Sequence, residues 1–432
     1  MACCNSRAEA FLRKHGMFSA QIELSPALDA FEREMDAGLS GDSSSLMMIP
    51  AYLSGAAKIR NRTALVLDAG GTNLRAAQVS FDENAVPTVA GFSKIPVPGS
   101  KVPLTAEQFY DALAEALVPI ADGSDCVGFC FSFPMDILPN REGRVIAVNK
   151  EVRVSNIEGS LIGECVNAAL ARRGIAPKKF VLLNDTVATL LCGMLSPDAG
   201  SYDGYIGYIL GTGTNACYVE KAAAIKKVPG LTEDMIINME SGCYDGFVQG
   251  TFDRALDAAS EKVGDHKMEK MISGAYQGDL IYRTICGAVE ESLFSEKFAA
   301  AFASLSTISM MEISDYCTDP EGNNTLARVA MAGTAEDRDL LYALVDDSFE
   351  RSTRITAINF AAIARKTDSG KSAEHPLCVA AEGTTFFKAP LFRPKLERYL
   401  QDWVRDGLNR HISIVKAEDA TLYGSAVAAL ID

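Results

Sequence analysis

Histidine and long apolar runs are scarce in this chain, and each scarcity narrows the possible chemistry. Only four of the 432 residues are histidine. His15, His266, His375 and His411 all lie outside the glycine-rich and acidic motifs of the sequence. This argues against a Ser-His-Asp nucleophile and against a histidine-rich zinc centre. No apolar stretch is long enough to span a bilayer, and no signal peptide is recognisable.

Basic residues are also fewer than acidic residues. The chain has 41 Lys and Arg residues against 56 Asp and Glu residues, which gives a formal net charge of −15. Nucleic acid and anionic membranes favour clustered cations, so we expect neither as a partner. The 11 cysteines are odd in number and lack disulfide or zinc-ribbon spacing, which indicates free thiols in a reducing compartment. These features predict a cytoplasmic protein and leave its oligomeric state open.

Strands alternate with helices along the chain, which predicts an α/β protein. A length of 432 residues suggests two or three domains. No low-complexity linker separates the segments, so we expect two lobes that share a cleft and exchange chain segments. Capping boxes at 105–108 and 155–158 predict two helix starts. Apolar periodicity predicts long helices over 265–296 and 338–366, and a further helix over 423–430.

The segment 64–80 is the most informative part of the sequence. An apolar run ends on Asp68, a Gly-Gly-Thr-Asn turn follows at 70–73, and a second strand-like run leaves the turn. Paired glycines let the backbone approach a ligand, and consecutive turn amides form a cradle for an anion. Asp68 beside that cradle could hold Mg²⁺, directly or through water. Walker and Rossmann loops differ because they lead from a strand into a helix. The alternative is an ordinary hairpin turn with a solvated aspartate.

Two further turns repeat this pattern. An apolar run at 205–210 enters Gly-Thr-Gly-Thr-Asn at 211–215, and another at 377–381 enters Glu-Gly-Thr-Thr at 382–385. We call 70–73, 211–215 and 382–385 the first, second and third clips. Chance supplies one glycine-rich turn after an apolar strand more readily than three. The repetition therefore indicates that two similar halves of the protein face one nucleotide.

A carboxylate follows the apolar strand predicted at 180–183. Asn184 and Asp185 come directly after that strand, and catalytic groups of α/β proteins commonly lie at the carboxyl end of a strand. In phosphoryl transfer to an alcohol, an aspartate accepts the hydroxyl proton. The alternative is that Asp185 caps the helix that follows, and one residue can do both.

Other polar residues suit a sugar site. Ser132 ends a strand, Asn149 and Lys150 supply an amide and a cation, and Glu240 and Glu269 lie near glycine-containing turns. Sugar sites use several such side chains because every buried hydroxyl needs a hydrogen-bond partner. The alternatives are a strand end that satisfies its own backbone, a solvated lysine and two surface glutamates.

Seven short motifs occur in a fixed order along the chain, at 67–75, 131–134, 183–186, 211–218, 238–242, 269–274 and 382–384. Their residues, order and spacing resemble the eukaryotic-type hexokinase/glucokinase family, within the actin-like ATPase superfold. The resemblance covers close to the whole chain. No Cys-rich zinc motif is present in the sequence, which argues against the bacterial repressor/sugar-kinase group.

The resemblance implies a two-lobed α/β fold of the ribonuclease H-like, actin-like ATPase type. A cleft would lie between a small domain of 62–183 plus 422–432 and a large domain of 1–61 plus 184–421. The implied activity is that of an ATP- and Mg²⁺-dependent hexokinase that phosphorylates the 6-hydroxyl of a hexose, with glucose favoured.

The resemblance also implies roles for individual positions. Asp185 would be the general base, and Lys150 and Arg75 would assist by offsetting phosphate charge. The implied substrate-binding residues are Ser132, Phe133, Asn149, Lys150, Asn184, Asp185, Asn215, Glu240 and Glu269. The implied cofactor-binding residues are Asp68, Gly70, Gly71, Thr72, Asn73, Arg75, Thr212, Gly213, Gly383 and Thr384, with Asp68 holding Mg²⁺ through water.

Two positions depart from the family pattern. Asn149-Lys150 stands where the family usually has Thr-Lys, and the longer amide lacks a methyl group, so sugar preference is open. The loop Gly-Thr-Thr of the third clip is close to the family's Asp-Gly-Ser pattern but differs from it. Two other functions remain open from the sequence. One is a kinase of the same superfold that acts on another polyol, an N-acetyl sugar or a carboxylate. The other is a non-catalytic sugar sensor or regulatory subunit.

Overall fold

The computed structural model describes residues 5–54, 59–148, 152–196 and 198–431. Its strands are β1 (Ile49–Pro50), β2 (Thr63–Ala69), β3 (Asn73–Phe81), β4 (Pro87–Pro96), β5 (Leu104–Thr105), β6 (Cys126–Phe131), β7 (Met135–Ile137), β8 (Gly143–Val145), β9 (Val154–Ser155), β10 (Lys179–Leu183), β11 (Gly204–Leu210), β12 (Thr214–Glu220), β13 (Met235–Asn238), β14 (Leu377–Glu382) and β15 (Ile412–Lys416). Its helices are α1 (Ser6–Lys14), α2 (Leu24–Ser40), α3 (Ala106–Leu117), α4 (Ile162–Arg172), α5 (Asp185–Gly193), α6 (Thr251–Ala259), α7 (Lys267–Ile272), α8 (Gly274–Glu290), α9 (Glu296–Phe302), α10 (Met310–Thr318), α11 (Thr325–Ala332), α12 (Ala335–Lys366), α13 (Thr384–Lys388), α14 (Phe392–Tyr399), α15 (Asp406–Leu408) and α16 (Ala420–Ala429).

Two β-sheets form the frame of the molecule. The smaller sheet has the strand order β10-β6-β2-β3-β4, and the larger has the order β1-β13-β12-β11-β14-β15. Strand β2 is an apolar run with β-branched residues, and every residue after its first is buried. Each sheet contains an antiparallel hairpin, β2/β3 or β11/β12, beside parallel strands. The first and second clips connect the strands of these two hairpins, so they occupy equivalent positions in the two sheets.

Helices α5 and α16 lie between the two sheets. Their apolar side chains share one buried cluster with residues of both sheets, among them Val66, Val79, Leu183, Cys217 and Ile236. The helices also approach backbone to backbone, since a Cβ built on Gly424 of α16 would lie 1.9 Å from the carbonyl oxygen of Ala188 in α5. Interiors are close-packed, so a side chain at position 424 would require the two helices to separate.

Helix α12 is the centre of the larger lobe. It has 32 residues and begins with a capping box between Thr334 and Asp337. Arg351 of α12 donates two hydrogen bonds to the Asp253 carboxylate of α6, at 2.8 and 2.6 Å, and both side chains are buried. A two-pronged pair of this kind satisfies both charges inside the protein. Because α12 also packs against α2, α8 and α14, it fixes the helices that surround the larger sheet.

Several helix predictions are confirmed. Helix α3 begins at the predicted capping box, where Thr105 accepts a hydrogen bond from the Gln108 amide. Helix α12 contains the predicted 338–366 segment, and α16 overlaps the predicted 423–430 segment. No helix within the described parts of the chain has the length and hydropathy that crossing a bilayer requires.

The predicted helix start at 155–158 is wrong. Ser155 ends β9, which pairs in parallel with β5. The chain then turns through Gly159, whose φ is +77°, before α4 begins at Ile162. The Ser-x-x-Glu spacing was accidental here, because strand pairing with a distant segment determined the conformation of Ser155.

The single helix predicted over 265–296 is also wrong. This segment forms α7, α8 and the start of α9 as separate helices. Ser273 has extended backbone angles between α7 and α8, and the Gly274 amide donates to the Gly211 carbonyl oxygen at 2.8 Å. A contact with a residue that distant in sequence leaves no trace in the local apolar periodicity.

Replacing Gly424 by alanine should lower the melting temperature, because the new methyl group would overlap the Ala188 carbonyl oxygen. Overpacked cores commonly lose about 1–3 kcal/mol of unfolding free energy. Thermal denaturation followed by circular dichroism measures the change. Gly200→Ala is the matched control, since a Cβ there would meet no atom within 4 Å. Equal melting temperatures for the two variants would contradict the contact between α5 and α16.

Candidate active site

The carboxyl ends of parallel strands bring two acidic residues to one edge of the smaller sheet. Asp68 of β2 is in register with Cys130 of β6, which is in register with Leu183 of β10. The chain leaves β10 directly into Asn184 and Asp185. Asp68 and Asp185 are close enough for the negative charge of Asp68 to raise the pKa of Asp185.

Two donors from distant parts of the chain hold Asp68. Its Oδ2 accepts hydrogen bonds from Arg75 Nη1 at 3.2 Å and from Thr421 Oγ1 at 2.8 Å. Arg75 lies opposite Asp68 in the β2/β3 hairpin, whereas Thr421 belongs to α16. Burial raises the pKa of Asp68, and the contacts with Thr421 and Arg75 act in the opposite direction. The carboxylate is thus oriented by the smaller sheet and by α16 together.

The first clip is an open hairpin turn beside Asp68. The Gly70 amide donates to the Asn73 carbonyl oxygen at 3.1 Å, and Asn73 Nδ2 donates to Thr72 Oγ1 at 2.7 Å. Gly71 and Thr72 are exposed, and a Cβ on Gly70 would meet no atom within 4 Å. The turn therefore presents its backbone to an open space, as a cradle for an anion requires.

Asp185 is the first residue of α5. Asn184 is the N-cap of this helix, and its Oδ1 accepts a hydrogen bond from the Thr186 amide at 2.8 Å. Asp185 Oδ1 accepts from the same amide at 2.7 Å and from Thr186 Oγ1 at 3.2 Å. Burial raises the pKa of Asp185. Helix capping thus involves both residues, with Asn184 at the cap position.

Glu382 adds a third carboxylate to this region, which the sequence reasoning named only as the start of the third clip. It ends β14 of the larger sheet. Burial raises the pKa of Glu382, and the charges of Asp185 and Asp68 raise it further. Three carboxylates from two sheets therefore lie within electrostatic reach of one another. The described residues contain no group of three or more His, Cys, Asp or Glu side chains that could hold a metal ion by themselves.

The second and third clips are joined through the carbonyl oxygen of Gly211. This oxygen accepts hydrogen bonds from the Gly274 amide at 2.8 Å and from Thr385 Oγ1 at 3.0 Å. Gly383 has a φ of +118°, and a Cβ there would lie 2.1 Å from the Leu210 carbonyl oxygen, so only glycine fits. The two clips and the start of α8 therefore form one unit.

Other residues of the second and third clips lie close to Gly211. Gly213 lies against Glu269, since a Cβ on Gly213 would be 2.6 Å from Glu269 Oε2. The carbonyl oxygen of Thr212 accepts from the Ala275 amide at 3.1 Å. Thr384 is the first residue of α13. The second clip therefore lies between the third clip and Glu269.

Amide and carboxylate side chains form a connected cluster beside the second clip. Asn215 Nδ2 donates to Asn238 Oδ1 at 2.7 Å, and Asn238 Nδ2 donates to Glu240 Oε1 at 2.7 Å. The Thr214 amide donates to Glu269 Oε2 at 3.0 Å. Burial raises the pKa of both glutamates. The cluster brings together the predicted residues Asn215, Glu240 and Glu269 and adds Asn238.

A cavity of about 470 Å³ opens beside this cluster. Its walls include the predicted residues Ser132, Phe133, Asn184 and Glu240. Strands and loops from both lobes contribute, and apolar residues such as Met47, Ile49, Pro134, Met135 and Val187 complete the walls. A mostly apolar cavity with a few convergent polar groups is typical of a small-molecule site.

His266 also lines this cavity, together with Lys262, Asp265 and Cys243. The sequence reasoning missed all four. His266 is the N-cap of α7 with a φ of 52°. Burial raises the pKa of Glu240 and of Glu269, and the proximity of His266 acts in the opposite direction on both without reversing the shift. The position of His266, three residues before the predicted site residue Glu269, is the sequence feature that could have identified it.

The small-lobe wall of the cavity follows β6. The Ser132 amide donates to the Ala69 carbonyl oxygen at 3.1 Å, which continues the pairing with β2. Phe133 is buried, and its ring centroid is 4.9 Å from that of Phe131. The predicted residues Asn149 and Lys150 lie outside the described residues.

Family models match both halves of the chain. Two family models, each described as hexokinase, match the chain. One matches residues 15–195 and the other matches residues 205–431. The chain belongs to the hexokinase family. It is therefore a kinase that transfers a phosphoryl group to a sugar hydroxyl.

Curated relatives agree. Hexokinase-3 of Arabidopsis thaliana is 29% identical over 450 residues, which cover 94% of this chain and 88% of that protein. Human Hexokinase-2 is 28% identical over 428 residues, which cover 93% of this chain and 46% of that protein. Rice Hexokinase-4, named as chloroplastic, is 28% identical over 440 residues, which cover 93% of this chain and 84% of that protein. With a plastid form among the relatives, the cytoplasmic location stays a prediction.

Two solved structures are similar to this chain in fold. A hexokinase from Schistosoma mansoni complexed with glucose superposes with a TM-score of 0.74 at 22% identity, covering 98% of this chain and 99% of that one. A further structure titled as a hexokinase has a TM-score of 0.76 at 20% identity, covering 99% of this chain and 100% of that one. The two-lobed, actin-like ATPase fold is thereby confirmed.

Thr421→Val should raise the pKa of Asp68, because the hydrogen bond from Thr421 is the largest influence that lowers it. If the ionised carboxylate is needed for turnover, the acidic limb of the pH–rate profile should move to higher pH. Thr63→Val is the control, since Thr63 contacts Ser80 at the far end of β2. Identical acidic limbs in the two variants would contradict a role for Thr421 in orienting Asp68.

Proposed function

We propose that this protein transfers the terminal phosphoryl group of ATP to the 6-hydroxyl of a hexose, with glucose favoured and with Asp185 as the general base. The location of Asp185 carries the proposal. It follows Asn184, which lines the cavity, and it lies within electrostatic reach of Asp68 and Glu382 beside the clips. A residue between that cavity and phosphate clips can contact a hydroxyl that is aligned with a phosphoryl group.

The polar cluster supports a sugar as the acceptor. Asn215, Asn238, Glu240 and Glu269 supply donors and acceptors, and a buried hydroxyl without a partner loses about 1–3 kcal/mol of binding free energy. The cavity of about 470 Å³ falls within the range of small-molecule sites. The Schistosoma mansoni hexokinase was solved in complex with glucose, which supports glucose as the preferred hexose.

The clips and nearby carboxylates support ATP and Mg²⁺. Phosphates would lie against the first and second clips, with the adenosine towards Gly383 and Thr384 of the third. Asp68 and Glu382 suit a divalent cation. Burial raises the pKa of each carboxyl group, and a positive charge nearby would favour the ionised forms. Such an ion, held through water, would offset phosphate charge and orient the phosphates.

Arg75 would supply further positive charge on the small-lobe side. Its guanidinium lies 3.2 Å from Asp68 Oδ2 and is 38% exposed, so it can reach an anion in the cleft while it keeps its contact with Asp68. The contribution of Lys150 rests on the family resemblance alone.

The contacts of Asp185 suit proton transfer. Among the described residues, the hydrogen bonds to this carboxylate are all accepted by Oδ1, so Oδ2 is the oxygen we assign to the sugar. The hydroxyl proton passes to Oδ2 as the sugar oxygen bonds to the terminal phosphorus and the bond from that phosphorus to ADP breaks. A raised carboxyl pKa brings the base closer to the operating pH, which favours this transfer.

ADP release tests the proposal. Purified protein is assayed with MgATP and glucose, mannose, fructose, N-acetylglucosamine, glycerol or acetate. We expect glucose to give the highest kcat/KM. Faster turnover of another acceptor would replace the hexose assignment, and sugar binding without ADP release from any acceptor would favour a sensor.

Asp185→Asn should lower kcat by about 10²–10⁴-fold, the range typical of a general base. Hexose affinity measured by calorimetry should change far less, because the amide retains hydrogen-bonding capacity. Asp136→Asn is the control, since Asp136 lies exposed in β7. An unchanged kcat in Asp185→Asn would remove Asp185 from the base position.

A further inference from the structure

A buried tyrosine lies directly behind the second clip. Tyr208 of β11 is fully buried. Its hydroxyl is 3.3 Å from Thr214 Oγ1 and 3.2 Å from Thr356 Oγ1 of α12. Thr214 belongs to the second clip and is also the first residue of β12. The tyrosine therefore bridges the clip and the central helix of the larger lobe.

The direction of these hydrogen bonds follows from counting protons. The Thr356 hydroxyl has one proton, which it donates to the Ser352 carbonyl oxygen at 3.0 Å. Thr356 Oγ1 is then free to accept the proton of Tyr208. The single Thr214 proton is shared between the Ile209 carbonyl oxygen at 2.9 Å and the Tyr208 oxygen at 3.3 Å. Burial raises the pKa of Tyr208 to about 12, so the phenol keeps the proton that it donates.

The ring of Tyr208 is fixed from two sides. Its centroid is 4.7 Å from that of Phe360 in α12 and 5.7 Å from that of Phe386 in α13, both in edge-to-face geometry. Helix α13 begins at Thr384, within the third clip. The Tyr208 side chain therefore contacts α12, α13 and Thr214 of the second clip.

Thr214 also connects this bridge to the sugar side. Its amide donates to Glu269 Oε2 at 3.0 Å, while its hydroxyl faces Tyr208. A displacement of Thr214 would move the clip amides relative to Glu269. Since hydrogen-bond strength falls steeply with poor geometry, the placement of the clip backbone depends on how firmly Thr214 is held.

We propose that Tyr208 is a positioning residue for the nucleotide, which holds the second clip in its binding geometry through Thr214 and Thr356. The inference rests on the proposed function, because it takes the second clip as a phosphate-binding element. Because Tyr208 is fully buried behind the clip, it acts through the clip backbone and not by direct contact with a ligand in the cleft.

Tyr208→Phe tests this role, because it removes the hydroxyl and keeps the ring. We expect the dissociation constant of Mg²⁺-β,γ-imido-ATP, measured by calorimetry, to rise about 3- to 10-fold for loss of one buried hydrogen bond. The KM for MgATP should rise in parallel, and hexose affinity should change less. Thr356→Val, which removes the partner and leaves Tyr208 intact, should weaken the nucleotide in the same sense and serves if Tyr208→Phe folds poorly.

Tyr218→Phe is the matched control. Tyr218 is equally buried in the neighbouring strand β12, but its hydroxyl donates to Glu220 Oε2 at 2.6 Å, further along β12 from the clip. Equal nucleotide affinities in Tyr208→Phe and Tyr218→Phe would overturn the inference, as would an equal loss of hexose and nucleotide affinity in Tyr208→Phe. Absence of ADP release by the unmodified protein would instead refute the proposed function, and analogue binding would still decide the role of Tyr208.

Discussion

The loss of solvation of three neighbouring carboxyl groups is the constraint around which the cleft is organised. Asp68 lies near the end of β2 in the smaller sheet, Asp185 begins α5 just after β10 of that sheet, and Glu382 ends β14 of the larger sheet. Burial raises the pKa of each, because a charge loses solvation when it leaves water. The protein offsets this cost with specific donors, namely Arg75 and Thr421 for Asp68 and Thr186 for Asp185. A cluster of this kind is well suited to a positively charged or proton-bearing ligand.

The two helices between the sheets make that convergence possible. Helix α5 starts at Asp185 and α16 carries Thr421, so both helices deliver polar groups to the cleft while their apolar faces fill the space between the sheets. Their backbones approach closely at Gly424 and Ala188, where an added Cβ on Gly424 would lie 1.9 Å from the Ala188 carbonyl oxygen. Because this contact has no side chain to adjust, it sets the distance between the sheets within narrow limits. Any closure of the lobes must therefore be accommodated near these helices.

Sequence reasoning predicted the features that depend on local chemistry. Glycine-rich turns after apolar strands, the Thr105 capping box and the strand that ends at Asn184 all depend on neighbouring residues. The failures depend on distant contacts: Ser155 pairs in a small sheet, and Gly274 donates to Gly211. Thr421 was missed as a site residue because only the folded chain brings it to the cleft. Asn238 and Glu382 begin motifs that were found in the sequence and His266 lies beside another, but their place in the site depends on contacts that the folded chain makes. The predicted domain limits and the individual site roles stay predictions.

The hydrogen bond from Thr421 to Asp68 joins residues that are 353 positions apart. During synthesis on the ribosome, the strand that bears Asp68 emerges long before α16 does. Gly128 of β6 packs so closely on α16 that a Cβ there would lie 1.9 Å from the Ser425 carbonyl oxygen. Until α16 is made, the smaller sheet therefore lacks this packing partner, and Asp68 lacks one of its donors. Completion of the cleft is in this sense a late event of translation, and a chain released before residue 421 would lack the Thr421 donor that holds Asp68.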